Sequence, residues 1–287
     1  MPIARHGTGI RAATRAYRSQ IHPVFMLPPL AASIFGGILA GTVAPVEAGA
    51  HVVAIFAAVY TAHVQDGYVD FHVRDEDDDH PLTVTGCRLG LVGSTVLFAL
   101  ACAVIFLRAD AVAVALTIPT WVIAYFHAPR LDVHPIGATA GYPVGIGLAI
   151  LGGHYVQAGA MSALALAFAA VFVVLLSGIK VIDDAQDYDY DRSIRKRTVA
   201  VVFGPERAYD VAYGLLAAAL VGVIGFTAFG AFPPGSVLAV VAFGAVAVVA
   251  RRAPPTVATM LLIRGSYVFL AVLVAAVWFE PVGIALA

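Results

Sequence analysis

The chain has 287 residues, of which 61% are hydrophobic and 12% are charged. Soluble domains are about 45–50% apolar and about 25% charged, so these values argue against a soluble enzyme and exclude a disordered protein. The formal net charge of −1 conceals an uneven distribution, because seven of the 18 acidic residues lie within 66–79 and five within 183–191. Two thirds of the negative charge therefore occupies two short segments of an apolar chain.

The chain is predicted to form a single domain over 1–287 that begins with a cytoplasmic tail, 1–20. This tail is polar, contains four arginines and has no leading apolar run, so it does not resemble a signal peptide. A membrane-spanning helix needs about 20 mostly apolar residues. On hydropathy, nine segments are predicted as such helices: 24–45, 49–65, 86–107, 111–127, 134–154, 158–181, 207–230, 235–250 and 257–279.

The distribution of lysine and arginine predicts the orientation, because cytoplasmic loops are enriched in both. With nine helices, the N-terminal tail and every even-numbered connection share one side, and that side holds 15 of the 17 cationic residues. We therefore expect an all-α protein of the cell membrane, with its N-terminus in the cytoplasm and its C-terminus outside. Both acidic segments lie on the cytoplasmic side, after the second and the sixth helix.

The second acidic segment predicts a metal site. If 180–191 continue the sixth helix, four aspartates fall within an arc of about 100°, and Lys180 lies one turn before one of them. Carboxylates packed on one face repel each other unless cations bind there, and all-oxygen ligands suit hard ions such as Mg²⁺. The predicted metal ligands are Asp183, Asp184, Asp187 and Asp191. The alternative is a solvated acidic loop.

The first acidic segment divides into two parts. Asp66 and Asp70 are spaced i, i+4 at the cytoplasmic end of the second helix and could share a metal ion. The consecutive acids at 75–79 cannot all face one site, and they are predicted to form a solvated loop.

Two facing carboxylate clusters that hold Mg²⁺ would bind a diphosphate and stabilise it as a leaving group. Lys180, Arg130 and Arg197 are candidates to complete the contacts with the diphosphate. The apolar bundle would enclose a prenyl chain in a central cavity that opens to the cytoplasmic side, and it would exclude water from a carbocation. We expect Asp66, Asp70, Asp184 and Asp187 to be essential for catalysis. No general base is evident in the sequence, and the diphosphate itself could take the proton.

With these features the chain resembles the UbiA superfamily of intramembrane prenyltransferases. The family pattern in the second segment is Asp, two residues, Asp, three residues, Asp, a basic stretch, Arg-Thr and Gly. It is matched here by Asp184, Asp187, Asp191, Arg192, Arg195, Arg197, Thr198 and Gly204. The resemblance implies a Mg²⁺-dependent transfer of a prenyl group from a polyprenyl diphosphate to a lipophilic acceptor. The implied partners are these two substrates and membrane lipid, with no nucleic acid.

Two further segments resemble the family but depart from it. The family's Tyr, Pro and Arg-Leu-Lys after the fourth helix are matched by Tyr125, Pro129, Arg130 and Leu131, but Asp132 replaces the lysine. Its first motif, Asn-Asp-x-x-Asp-x-x-x-Asp, fits in two ways. Either Gln65 and Asp66 stand for Asn-Asp, or Asp66 and Asp70 are the last two acids and Ala62 replaces the Asn. In both cases His63, one turn before Asp66, could contact the substrate, as could Gln65 and Tyr125.

The acceptor is open among the kinds that the family uses: an aromatic quinone precursor, a glyceryl-phosphate lipid, a porphyrin or a carotenoid. A second hypothesis is a polytopic transporter or cation-binding membrane protein without catalysis. Transporters bind near the bilayer midplane, however, whereas these ionisable residues lie at helix ends. A third is a phosphatidyl-type transferase, but the sequence after Asp66-Gly67 does not continue its pattern.

Overall fold

A computed structural model describes residues 2–42 and 44–279 and confirms the all-α prediction for them. These residues form twelve α-helices and one π-helical turn, with no β-strand among them. The helices are α1 (Gly9–Arg18), α2 (Pro23–Leu39), α3 (Pro45–His72), α4 (Val84–Arg108), α5 (Ala111–Phe126), α6 (Pro135–Ala158), α7 (Ala163–Gln186), α8 (Tyr188–Ser193), α9 (Val199–Phe203), α10 (Pro205–Ala228), α11 (Ser236–Ala250) and α12 (Pro255–Phe279). The π-helical turn, His127–Leu131, continues α5.

Each of the nine predicted segments overlaps one main helix of the structure. The prediction that all nine span the membrane is not confirmed. Seven helices in the described part are long and apolar enough to span a membrane, and an eighth is added if α1 and α2, bent by 64°, count as one span. Helix α11 is apolar but shorter. Nine spans therefore remain a prediction, as does the single domain 1–287, which includes positions 1, 43 and 280–287 outside the described residues.

Two predicted boundaries are wrong in ways that matter for the site. The first helix was predicted over 24–45, but α2 ends at Leu39. Position 43, within the predicted range, lies outside the described residues. The second, 49–65, extends to His72 as α3, so Asp66 and Asp70 lie on the helix itself. Hydropathy ended this helix too early because it cannot distinguish a polar last turn of a helix from a loop.

Helix α7 lies at the centre of the bundle and carries much of its core. The rings of Phe168 and Phe232 are stacked with centroids 3.8 Å apart, and Phe35 meets Phe168 edge-on at 5.1 Å. Helices α2 and α6 cross closely, since a Cβ on Gly36 would meet the Ile150 carbonyl oxygen. Small residues allow membrane helices to approach in this way.

The N-terminal tail is anchored to the loop between α3 and α4. An isolated β-bridge joins Ala4 to Leu82, and Asp79 accepts hydrogen bonds from Arg5 at 2.7 Å and His6 at 2.9 Å. Asp75, Asp77 and Asp78 are exposed, in agreement with a solvated loop, but the Glu76 side chain is only 8% exposed and lies 4.0 Å from Arg74. Asp79, by contrast, anchors the tail.

Candidate active site

Helix α7 carries a lysine between two aspartates at its last turns. The Lys180 ammonium lies 2.5 Å from an oxygen of Asp184 and 3.2 Å from one of Asp183. Asp184 is only 4% exposed, and its second oxygen has no hydrogen-bond partner among the described residues. The predicted spacing of one turn between Lys180 and Asp184 is therefore present.

The prediction that one helix carries four aspartates is wrong, because α7 ends at Gln186. The chain turns at Asp187 and begins the separate helix α8, on which Asp191 is 5% exposed, whereas Asp187 is exposed. Burial raises the pKa of Asp191 to about 6, and the nearby charge of Asp184 contributes in the same direction against the opposing effect of Lys196. Asp191 is thus near enough to Asp184 for the charge of Asp184 to affect its pKa, although the two lie on different helices.

The last turns of α3 bring the first acidic motif to the same region. One oxygen each of Asp66 and Asp70 is buried without a hydrogen-bond partner among the described residues, as is the side-chain oxygen of Gln65. Arg74 lies 3.5 Å from Asp70 and donates a hydrogen bond of 2.5 Å to the Ala128 carbonyl. The motif therefore presents unsatisfied oxygen ligands next to one fixed cation.

An ion pair that the sequence did not predict joins the loop after α8 to the end of the π-helical turn. Lys196 and Asp132 are 2.6 Å apart, and each side chain is 16% exposed. Burial would raise the pKa of Asp132, but the Lys196 ammonium outweighs that effect and lowers it. Burial likewise lowers the pKa of Lys196, but Asp132, Asp70 and Asp191 together raise it. Lys196 therefore lies within reach of acids from both motifs.

A cavity of about 460 Å³ adjoins these charged groups. Most of its wall is apolar and comes from α2, α3, α5, α6, α7 and α12. Its polar lining includes Asp66, Lys180 and Asp183, together with the imidazoles of His22, His63 and His127. Of these histidines only His63 was singled out from the sequence, because nothing local relates His22 or His127 to the acidic motifs.

Four predicted substrate contacts do not line this cavity: Gln65, Tyr125, Arg130 and Arg197. The Arg130 guanidinium lies over the Phe126 ring at 5.3 Å, and Tyr125 is stacked on Trp121 at 5.1 Å. Both Arg130 and Arg197 are exposed. Their roles as substrate contacts remain predictions.

The donor set suits Mg²⁺ only together with a substrate. Within the described residues no three carboxylate, imidazole or thiol groups are arranged to hold a metal ion by themselves. Mg²⁺, however, usually binds through one or two carboxylates plus substrate phosphates. The unpartnered oxygens of Asp66, Asp70 and Asp184 provide carboxylate ligands on both sides of the site. The residues present therefore fit a Mg²⁺ ion that a diphosphate helps to coordinate.

Comparisons with known proteins agree with this architecture. A model of the UbiA prenyltransferase family matches residues 30–256, while curated proteins gave no significant match. Among solved structures, the fold is similar to that of an apo UbiA homologue from Aeropyrum pernix K1, with a TM-score of 0.68, 16% identity, and coverage of 91% of this chain and 98% of that one.

A UbiA homologue from Archaeoglobus fulgidus, solved with GPP and Mg²⁺, gives a TM-score of 0.69 at 16% identity and covers 93% and 99% of the two chains. The structure of a digeranylgeranylglyceryl phosphate synthase gives a TM-score of 0.72 at 13% identity, and the match covers 92% of this chain and 98% of that one. At these identities the likeness establishes a common fold.

Proposed function

Since the chain belongs to the UbiA prenyltransferase family, we propose that it transfers a prenyl group from a polyprenyl diphosphate to a lipophilic acceptor within the membrane. One observation carries the proposal: the polar lining of an apolar cavity includes Asp66, Lys180 and Asp183, and Asp66 keeps one buried oxygen without a hydrogen-bond partner among the described residues. The apolar wall suits the prenyl chain, and the polar end suits the diphosphate.

Mg²⁺ is the proposed cofactor, and when bound it supplies positive charge to the departing diphosphate. Asp66 and Asp70 would hold it on one side, and on the other side the ligands would be Asp183, Asp184, Asp187 and Asp191. The A. fulgidus homologue solved with GPP and Mg²⁺, and again with DMAPP and Mg²⁺, supports Mg²⁺ as the cofactor. Asp184 is the strongest candidate because it is buried and keeps one oxygen unpartnered.

Lys180 would bind the diphosphate at the mouth of the cavity, which it lines together with Asp183. Its ion pairs with Asp183 and Asp184 hold the ammonium in place before substrate arrives. As the bond from the prenyl carbon to oxygen breaks, this fixed cation would stabilise the negative charge that develops on the leaving group. The apolar wall would keep water away from the allylic cation.

The active end would face the cytoplasm. If the chain has nine spans, its lysines and arginines are concentrated on the side of the acidic segments, which is typical of a cytoplasmic surface. We therefore place the N-terminus in the cytoplasm and the C-terminus outside the cell membrane. Soluble diphosphate could then leave into the cytoplasm.

The test is turnover by the purified protein in detergent or liposomes. Labelled geranylgeranyl diphosphate would be offered with a panel of acceptors that includes an aromatic quinone precursor and a glyceryl-phosphate lipid. We expect label to appear in one acceptor, to stop with EDTA and to resume with excess Mg²⁺. The absence of transfer to every acceptor, together with diphosphate-independent flux of a solute into liposomes, would favour a transporter instead.

A further inference from the structure

Three histidines from separate parts of the chain converge on the cavity. His22 precedes α2, His63 lies on α3, and His127 begins the π-helical turn after α5. All three line the same cavity as Asp66 and Lys180. The prenyl chain and the diphosphate use the apolar and the ionic groups, so the imidazoles have no role in the function proposed above.

His63 is the central member of this group. Its ring centroid lies 4.8 Å from that of His22 and 6.4 Å from that of Phe25. Its Nε2 is buried and has no hydrogen-bond partner among the described residues. A buried imidazole nitrogen of this kind is costly unless a ligand satisfies it.

His51 and His154 also have a buried ring nitrogen without a hydrogen-bond partner among the described residues, but neither of them lines the cavity. His51 shares a hydrogen bond of 2.7 Å with Ser33, and His72 contacts the Leu82 carbonyl at 2.9 Å. These contacts explain why those rings are where they are. The position of His63 at the cavity wall is not explained in this way.

We propose, on the basis of the proposed function, that His63 is the general base that removes the proton from the prenyl acceptor. The bond from the allylic carbon to the diphosphate oxygen would break first, and the acceptor's nucleophilic atom would then form a bond to the resulting allylic cation. The electron pair of the broken bond leaves with the diphosphate, and the proton of the acceptor goes to the unpartnered Nε2 of His63. The ligand class is thus an acceptor whose nucleophilic atom carries a proton.

His22 provides an exit for that proton. It is exposed, and its ring contacts the ring of His63. Proton transfer from His63 to His22 and then to water would regenerate the base after each turnover. General-base catalysis by a positioned side chain contributes typically about 10²–10⁴-fold to a rate.

The experiment compares His63→Gln and His63→Ala with the unaltered protein, using whichever acceptor it prenylates. Glutamine can replace the hydrogen bond but cannot take the proton, so we expect both variants to lose roughly a hundredfold or more in kcat. Added imidazole should restore part of the rate of His63→Ala. Binding of the donor would be measured with Mg²⁺ and a thiolo-diphosphate analogue, which does not release its leaving group. The affinity of both variants for this analogue should stay within about threefold of that of the unaltered protein. His134→Gln is the control, because His134 is exposed and does not line the cavity.

Three results would overturn the assignment: a His63→Gln variant with unaltered kcat, no rescue of His63→Ala by imidazole, or loss of donor-analogue binding in His63→Gln. The last result would place His63 in the diphosphate site. These outcomes differ from a failure of the proposed function, in which the unaltered protein itself would transfer no prenyl group.

Discussion

Lys196 and Asp132 form an ion pair of 2.6 Å between the loop after α8 and the end of the π-helical turn. Asp132 occupies the position at which the family pattern has a lysine, so the cation that is lost there is supplied by another part of the chain. Lys196 also interacts with Asp70 and Asp191, which belong to the two acidic motifs. The pair thus joins three segments that form the polar end of the site.

Breaking this pair from one side should destabilise the protein. Lys196→Met leaves Asp132 without its counterion, and we expect a loss of about 1–3 kcal/mol in the free energy of unfolding. The double variant Lys196→Met, Asp132→Asn should recover most of this loss, with a coupling energy of roughly 0.5–3 kcal/mol. Equilibrium unfolding in detergent would measure this coupling energy. Arg192→Met is the control, because Arg192 is exposed. Additive effects of the two substitutions would contradict a direct pair.

Removal of one proposed metal ligand should abolish most turnover. Asp184→Asn keeps the shape of the side chain but removes its charge, so we expect prenyl transfer to fall at least about a hundredfold and the need for Mg²⁺ to rise. Asp189→Asn is the matched control, because Asp189 is exposed on the neighbouring helix. Rates would be measured over a series of Mg²⁺ concentrations. Full activity of both Asp184→Asn and Asp187→Asn would refute the assignment of the second motif.

The sequence predicts the apolar helices well and the polar end of the site only in part. Hydropathy identifies the segments because the membrane imposes one pattern on all of them. It fails where the chain leaves the apolar region: α3 continues to His72, and α7 ends before Asp187. Contacts between distant segments, such as Asp132 with Lys196, depend on the packing of whole helices and leave no local signal.

The crossing of α2 and α6 depends on the absence of side chains at two positions. A Cβ on Gly153 would meet the backbone of Ser33, and one on Gly36 would lie 2.8 Å from the amide nitrogen of His154. Each substitution by alanine should therefore cost about 1–3 kcal/mol through overpacking. Gly49→Ala on α3 is the control, since a Cβ there meets nothing within 4 Å. Thermal unfolding in detergent should separate these variants from the control.

Cysteine labelling can test the proposed orientation. Cys87 and Cys102 are free and buried, so the native chain should react little with a membrane-impermeant maleimide. Ser193→Cys lies at the exposed end of α8, and Ala160→Cys lies in the exposed connection between α6 and α7. We expect intact cells to label Ala160→Cys alone and inverted vesicles to label Ser193→Cys alone. The reverse pattern would place the active end outside the cell.

The cavity wall should determine which donors are accepted. Gly145 lines the cavity, and a Cβ built there meets nothing within 4 Å, so a leucine side chain would project into the space proposed for the prenyl chain. We expect Gly145→Leu to lower kcat/KM more for long prenyl donors than for short ones, because the polar end is unchanged and only the apolar volume shrinks. Gly93→Leu is the matched control: its Cβ is equally unhindered, but it lies on α4 and does not line the cavity. Equal losses for geranyl and geranylgeranyl diphosphate would show that the prenyl chain does not pass this wall, and would move its binding site to another face of the bundle.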